Sequence, residues 1–497
     1  MRLVGFLSRL LVSILFITTS VILAIFPIQS FDFFTYLNGA QQYFDSIRNG
    51  LGIFEFISLM PPQIKSQWLS CSLFYFVVKL FGFSGVIVFK ALVICTVGVV
   101  TSLIFWNKFF LFASYQFLFL ISLFCGLYGF DVSSFLFSDL MMLLFISSIV
   151  LFLSGRIAFV KFLLYSGVLM LVWSNLHSGF LIGVFFAWVL YFLISSLYKY
   201  DLFMIEIKSY IFKMAILVTF VSFVQPLGIY SWKYTLEILV SKFFLIGDFL
   251  QQPILSVFTF NFSHKLLLIG GGVYFCIFIF LFFKLYFNQN ILPNRIKIAF
   301  LFLLVVFITL LVLSVFSFRF YASWLLLQPL IITFSLYRLS KYLSFYKRLL
   351  TVDYTFIVYF IVVCLSVCFI KLKTSFLDNR SFGFGLNKSV LPVEYINNNS
   401  ILDSPNLFSI DKFEDFFSFF YNQQVVFNKN TIIQNNTLYS DLIGYKSDKI
   451  VDRFFSDYDI NLVVLPNQSH NLFEFFKKTS KWEKFYQDNL VIAYKRK

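Results

Sequence analysis

Asp32, Asp131, Asn175, His177 and Arg319 stand at the edges of long apolar runs, and ionisable groups at membrane depth are costly enough to be functional candidates. A carboxylate such as Asp32 can take a proton from an attacking hydroxyl. Arg319 offers a fixed fork of donors for an oxyanion, and His177 can add one more. Each polar residue also has a structural reading. Asp32 can cap a helix, and Asp131 can do the same ahead of Ser133 and Ser134. His177 can bond Asn175 or a carbonyl and tie two helices, Asp139 can pair with a serine or the backbone, and Arg319 can snorkel to headgroups. The three His are spread from position 177 to 470, which does not make a metal-ligand set. No Gly-rich nucleotide loop is present, and no cofactor is expected.

These residues need a scaffold, and the composition says which kind. Of the 497 residues 60% are hydrophobic and only 13% charged, against about 25% charged in a soluble domain. That excludes a soluble enzyme, a disordered chain and a disulfide scaffold, and leaves a polytopic membrane protein. Eleven apolar runs reach spanning length, at about 7–27, 84–106, 109–129, 133–153, 158–174, 179–198, 212–228, 266–286, 298–316, 320–337 and 353–371. The first follows Arg2 and Arg9 as a signal peptide would, but it is long and lacks a small-residue cleavage site, so it reads as a retained anchor.

Charge sets the orientation. The stretch from Leu372 onward holds 15 basic and 14 acidic residues, and the remainder holds 24 and 10. With the N-terminus inside, every inner loop is basic: Lys108; Arg156 and Lys161; Lys199, Lys208 and Lys213; Lys284, Arg295 and Lys297; Arg338, Lys341, Lys347 and Arg348. This is the positive-inside pattern, and it implies no nucleic-acid partner. Eleven spans then carry the C-terminal part outside.

The expected organisation is a transmembrane helical bundle over 1–371 with outer loops 28–70 and 229–265, followed by a small extracytoplasmic α/β domain over 372–497. The loop 229–265 contains an amphipathic helix starting near Tyr234. The tail alternates strand-like runs (Gln424 to Phe427, Asn461 to Leu465, Leu490 to Tyr494) with helix-like ones (Asp411 to Tyr421, Leu472 to Lys478). In this topology Asp32, Asp131, the turn Trp173-Ser-Asn-Leu-His-Ser-Gly179, the turn Gln225-Pro-Leu-Gly228 and Arg319 all collect on the outer side. A transporter would more often place such groups near the midplane.

An aspartate just after the first span, an alternating bundle and an outer terminal domain resemble the GT-C superfamily of polyprenyl-phosphate-sugar-dependent glycosyltransferases, and more narrowly a bacterial group of multi-pass proteins. The resembling pieces are Asp32-Phe-Phe-Thr-Tyr-Leu-Asn-Gly39, Gln67-Trp68-Leu69, the Trp173–Gly179 and Gln225–Gly228 turns, Ser317-Phe-Arg319 with Pro329, and the closing Trp482-Glu-Lys-Phe-Tyr486-Gln-Asp488 and Leu490–Arg496 runs. Thr35-Tyr36 stands where the group commonly has an aromatic-histidine pair.

The resemblance implies transfer of a sugar from a lipid-linked donor to a glycan, lipid or protein acceptor, at the outer face of a bacterial cytoplasmic membrane. It implies Asp32 as general base, with Arg319, His177, Asn175, Asp131, Tyr36 and Trp68 binding substrate. A lipid-linked polysaccharide polymerase or ligase, a flippase using Lys79, Lys90 and Asp139, and an envelope-assembly protein are the other classes this sequence accommodates.

Overall fold

The computed structural model describes residues 2–28, 32–48, 65–126, 132–197, 202–244, 276, 293–316, 318–342, 360–362, 364–366, 386, 391–399, 407–409, 413–421, 447–467 and 472–497. Long apolar runs become helices because a helix satisfies its own backbone where water is absent. In chain order they are α1 (Arg2–Ala24), α2 (Asp32–Arg48), α3 (Trp68–Ser102), α4 (Phe109–Gly126), α5 (Ser134–Leu153), α6 (Phe159–Leu176), α7 (Phe180–Leu197), α8 (Leu202–Val221), α9 (Tyr230–Phe244), α10 (Asn294–Phe316) and α11 (Phe318–Tyr342). The C-terminal part adds α12 (Val393–Asn399), β1 (Leu407–Ser409), α13 (Phe413–Tyr421), α14 (Asp448–Asp457), β2 (Leu462–Pro466), α15 (Leu472–Lys478), β3 (Trp482–Gln487) and β4 (Val491–Arg496).

Two compact units form. One comprises Met1–Phe26, Lys65–Ser70 and Val86–Leu377, the other Pro27–Ile64, Cys71–Gly85 and Asp378–Lys497. The first is the helix bundle. In it α4 packs on α1 and α11, α10 on α11, α5 on α6, and α8 on α6 and α7. Its centre is α5, where only Phe135, Met141, Leu144 and Leu151 escape full burial, and this explains why that run is apolar on all faces. Aromatic side chains fill the space between helices, as where Phe16 meets Phe119 at 5.7 Å and Phe152 stacks on Phe162 at 4.4 Å. By contrast α1 turns Phe6, Leu7, Leu10, Leu11, Ile14 and Ile17 outward, the face a helix presents to lipid.

Among the described residues six helices are long and apolar enough to cross a membrane, with shorter apolar helices at Phe109–Phe124 and Ala322–Tyr337. The chain is thus a multi-pass helical membrane protein carrying a small C-terminal sheet. All of the run at 266–286 except Cys276 lies outside the described residues, as does most of 353–371. Two boundaries differ from the apolar runs. The second span is preceded by helix from Trp68, and a break at Gly82 (φ 67°) divides the two pieces. A residue without Cβ reaches that conformation at little cost. The run at 212–228 instead forms helix over Leu202–Val221 and unwinds through tight turns ahead of Pro226, a residue that disfavours helix before it. The amphipathic helix expected near Tyr234 is α9.

The second unit contains α2, the 71–85 part of α3, and a four-stranded sheet of order β1-β2-β4-β3. β1 runs parallel to β2, while β4 is antiparallel to both β2 and β3. On one face Val463, Leu465, Ile492, Tyr494 and Trp482 pack against Val451, Phe454 and Phe455 of α14 and Leu472, Phe475 and Phe476 of α15. On the α12 side, Tyr395 meets Phe417 of α13 and Tyr486 of β3 at 5.5 and 5.0 Å. Asp488 fastens the β3–β4 turn. Its carboxylate accepts from the Leu490 and Val491 amides at 2.7 Å and from the Tyr486 hydroxyl at 2.9 Å. The closing Trp482, Tyr486 and Asp488 therefore hold the sheet together. The strands expected at 461–465 and 490–494 are β2 and β4, the helices expected at 411–421 and 472–478 are α13 and α15, and the run at 424–427 lies outside the described residues. Helix α14 was not expected, although Val451, Phe454 and Phe455 recur at helical spacing.

Candidate active site

Within the bundle, the polar residues of the Trp173–Gly179 turn are gathered against the first turns of α5. Trp173 and His177 lie one helical turn apart, so both reach the same neighbour. That neighbour is Ser138, whose hydroxyl lies 2.9 Å from the Trp173 indole nitrogen and 2.6 Å from His177 Nδ1. The Gly179 amide donates to the same Nδ1 at 3.0 Å. A backbone N–H can only donate, so Nδ1 is an acceptor. The indole N–H likewise donates to the Ser138 oxygen, leaving the serine proton for His177. This network assigns the imidazole proton to Nε2, so His177 offers a donor there, with the Phe135 ring 4.3 Å from its own.

The approach is possible because two positions lack a side chain. A Cβ on Gly179 would lie 2.4 Å from Ser138 Oγ, and one on Gly183 would lie 2.5 Å from the Trp173 ring. Ser138, Trp173 and His177 are all buried, and paired buried polar groups fix a single arrangement of the helices around them.

Asn175 serves a second knot. Its carbonyl oxygen accepts from Trp68 Nε1 at 2.8 Å, and its amide nitrogen donates to the Leu171 and Val224 carbonyls at 2.8 Å. Nearby, Ser70 donates to the Leu176 carbonyl at 2.8 Å, and Ser134 donates to the Gln67 side chain. Residues 67–70 are thereby stitched to the N-terminal end of α5 and the C-terminal end of α6. The Gln225–Gly228 turn joins this knot through Val224, and its Gln225 amide donates to Ser231 at 2.8 Å. Asn175→Ala is expected to lower stability by about 0.5–1.5 kcal/mol, since it removes the partner of a half-buried indole N–H and two bonds to backbone carbonyls. The check is a double-mutant cycle with Trp68→Phe on thermal unfolding of the purified protein. A coupling energy indistinguishable from zero would remove the tie.

Next to Ser138, Asp139 is buried and accepts a hydrogen bond from Ser323 of α11. Consecutive helical residues face different neighbours, so a single step along α5 braces both the His177 turn and α11. Arg319 occupies the first turn of α11, one turn before Ser323. Asp32 opens α2 in the other unit. The side chains of Asp32 and Arg319, and the whole of Asp131, lie outside the described residues. Tyr36 is buried in its unit with its ring stacked on Phe74 at 6.4 Å. The structure thus joins Trp68 with Asn175 and surrounds His177 with partners that the sequence did not single out. Ser138, Ser323, Gln67 and Ser134 were missed as partners. Ser134 and Ser138 share a helix face beside Asp139, which was the available signal, but serines are common in apolar helices. Among the described residues no group of three or more His, Cys, Asp or Glu side chains comes together.

The fold is similar to those of solved membrane proteins. The archaeal oligosaccharyltransferase AglB from Archaeoglobus fulgidus, in complex with an inhibitory peptide and a dolichol-phosphate, is similar with a TM-score of 0.55 at 11% identity, over 92% of this chain and 69% of that one. Its apo form matches equally. ArnT from Cupriavidus metallidurans, bound to undecaprenyl phosphate, is similar with a TM-score of 0.55 at 12% identity, over 98% of this chain and 97% of that one. No family model matches the sequence, and no curated protein does.

Proposed function

We propose that the chain is a membrane glycosyltransferase that moves a sugar from a polyprenyl-phosphate-linked donor to an acceptor at the extracytoplasmic face of a bacterial cytoplasmic membrane, with the N-terminus inside. The observation that carries this reading is fold likeness along 98% of the chain to a protein bound to undecaprenyl phosphate, joined to an aspartate that opens the helix following α1. In this reading the acceptor hydroxyl attacks the anomeric carbon with inversion while Asp32 takes its proton. The bond between the anomeric carbon and the phosphate oxygen breaks, and the lipid phosphate leaves as an anion. Arg319 and the Nε2–H of His177 steady that anion. Asp131 and Asn175 contribute to substrate binding, the latter by holding Trp68 in place. Tyr36 and Trp68 also contribute to substrate binding.

Comparing lipid-linked sugars and surface glycans in cells with and without the chain tests this. Accumulated donor with a missing glycan is the expected result. A sugar lipid trapped on the inner leaflet would make the chain a flippase instead, and unchanged glycans would sink the transferase reading.

A further inference from the structure

The helix that begins at Asp32 is built into the same compact unit as the C-terminal domain. Its first turn carries Phe33 and Phe34, both fully buried. Phe34 is clasped by the tail helix α13, its ring lying 4.8 Å from Phe416, edge to face, and 5.9 and 6.0 Å from Phe419 and Phe420. Phe33 meets Phe74 at 5.6 Å, and Phe83 lies 6.3 Å from Phe34. Phe416 is itself fully buried and has Phe420 at 4.9 Å behind it. Close-packed rings have few rotamers and transmit position with little slack. Phe34 is two residues from Asp32 on the same helical turn, so whatever fixes Phe34 fixes the backbone from which the Asp32 side chain departs.

We propose that Phe416 of the C-terminal domain is a positioning residue for Asp32, acting through Phe34, so that the tail serves as the mount of the general base. The role assigned to Asp32 rests on the glycosyltransferase reading; the mechanical link from α13 to α2 stands apart from it. An effect through position is a large one, since displacing a reacting group by about 1 Å can cost on the order of 10²-fold in rate.

The test uses the full chain carrying Phe416→Ala, with Phe416→Leu as the conservative variant. In hydrogen exchange on the purified protein, amides of residues 33–40 are expected to exchange at least about tenfold faster in Phe416→Ala, with α5 amides unchanged. Phe416→Leu should restore most of the protection. Unchanged exchange in α2, or a uniform rise across the bundle, would overturn the link. In cells lacking the chain, Phe416→Ala should slow restoration of surface glycan about tenfold or more at equal protein abundance. In an Asp32→Asn background it should add nothing further, because the group it positions is already disabled. Full complementation by Asp32→Asn would remove the base assignment, and with it the positioning role, while leaving the exchange result standing. Full complementation by Phe416→Ala, with Asp32→Asn inactive, would remove the positioning role alone.

Discussion

Asp32→Asn is expected to abolish sugar transfer while leaving folding and membrane insertion intact. Asparagine matches aspartate in size and starts a helix as well as aspartate does, so α2 should form unchanged. What it cannot do is accept the acceptor's proton. General-base assistance typically contributes 10²–10⁴-fold, or about 3–5.5 kcal/mol of barrier at 1.36 kcal/mol per tenfold. The measurement is the rate at which surface glycan reappears when the variant is expressed in cells lacking the chain, normalised to membrane-inserted protein. Asp32→Glu keeps the carboxylate but moves it by one methylene, and should fall between the two. Wild-type rates in Asp32→Asn would end the assignment of a base at this position.

The second large effect is expected at Gly179. An alanine there would place its Cβ 2.4 Å from Ser138 Oγ and 2.9 Å from His177 Nδ1, distances that force both side chains to move. Overpacking of this kind costs about 1–3 kcal/mol. Stranding the buried Ser138 hydroxyl, the Trp173 indole or the imidazole adds about 1–3 kcal/mol for each group left unsatisfied. Gly179→Ala should therefore lose roughly 3 kcal/mol or more, a large share of the stability of an ordinary domain. It should also displace the His177 donor, so that activity falls in the protein that remains folded. Thermal unfolding of the purified protein is the readout, with Ser178→Ala as a neighbour that adds no atoms and should stay within about 0.5 kcal/mol. Equal unfolding temperatures for Gly179→Ala and the wild type would show that the Ser138–His177 contact is not a tight one.

The two residues were legible to different degrees. Asp32 stands out in the sequence by its place just after the first apolar run, although it can also serve to start α2. The Trp173–Gly179 turn stands out by its density of polar types, yet its roles do not. Asn175 is engaged by Trp68, more than a hundred positions earlier, and His177 by Ser138 on another helix. Neither pairing leaves a local trace, because a hydrogen bond between helices imposes no periodicity on either one. Conversely, the closing Trp482, Tyr486 and Asp488 looked distinctive and prove to be the fastening of a sheet edge.

By itself the sequence determined that this chain is a multi-pass helical membrane protein with a small α/β domain at its end. Hydrophobicity per residue and the satisfaction of backbone hydrogen bonds are local quantities, and they are written into every run of twenty residues. Only the tertiary structure decided that α2 is mounted on the tail helix α13 through Phe34 and Phe416, and that Ser138 and Asp139 brace two different helices from one turn of α5. Those outcomes depend on which faces meet after the helices pack. With 75 Phe residues in the chain, nearly every face was apolar enough to meet any other, and close packing with a few buried polar pairs made the choice.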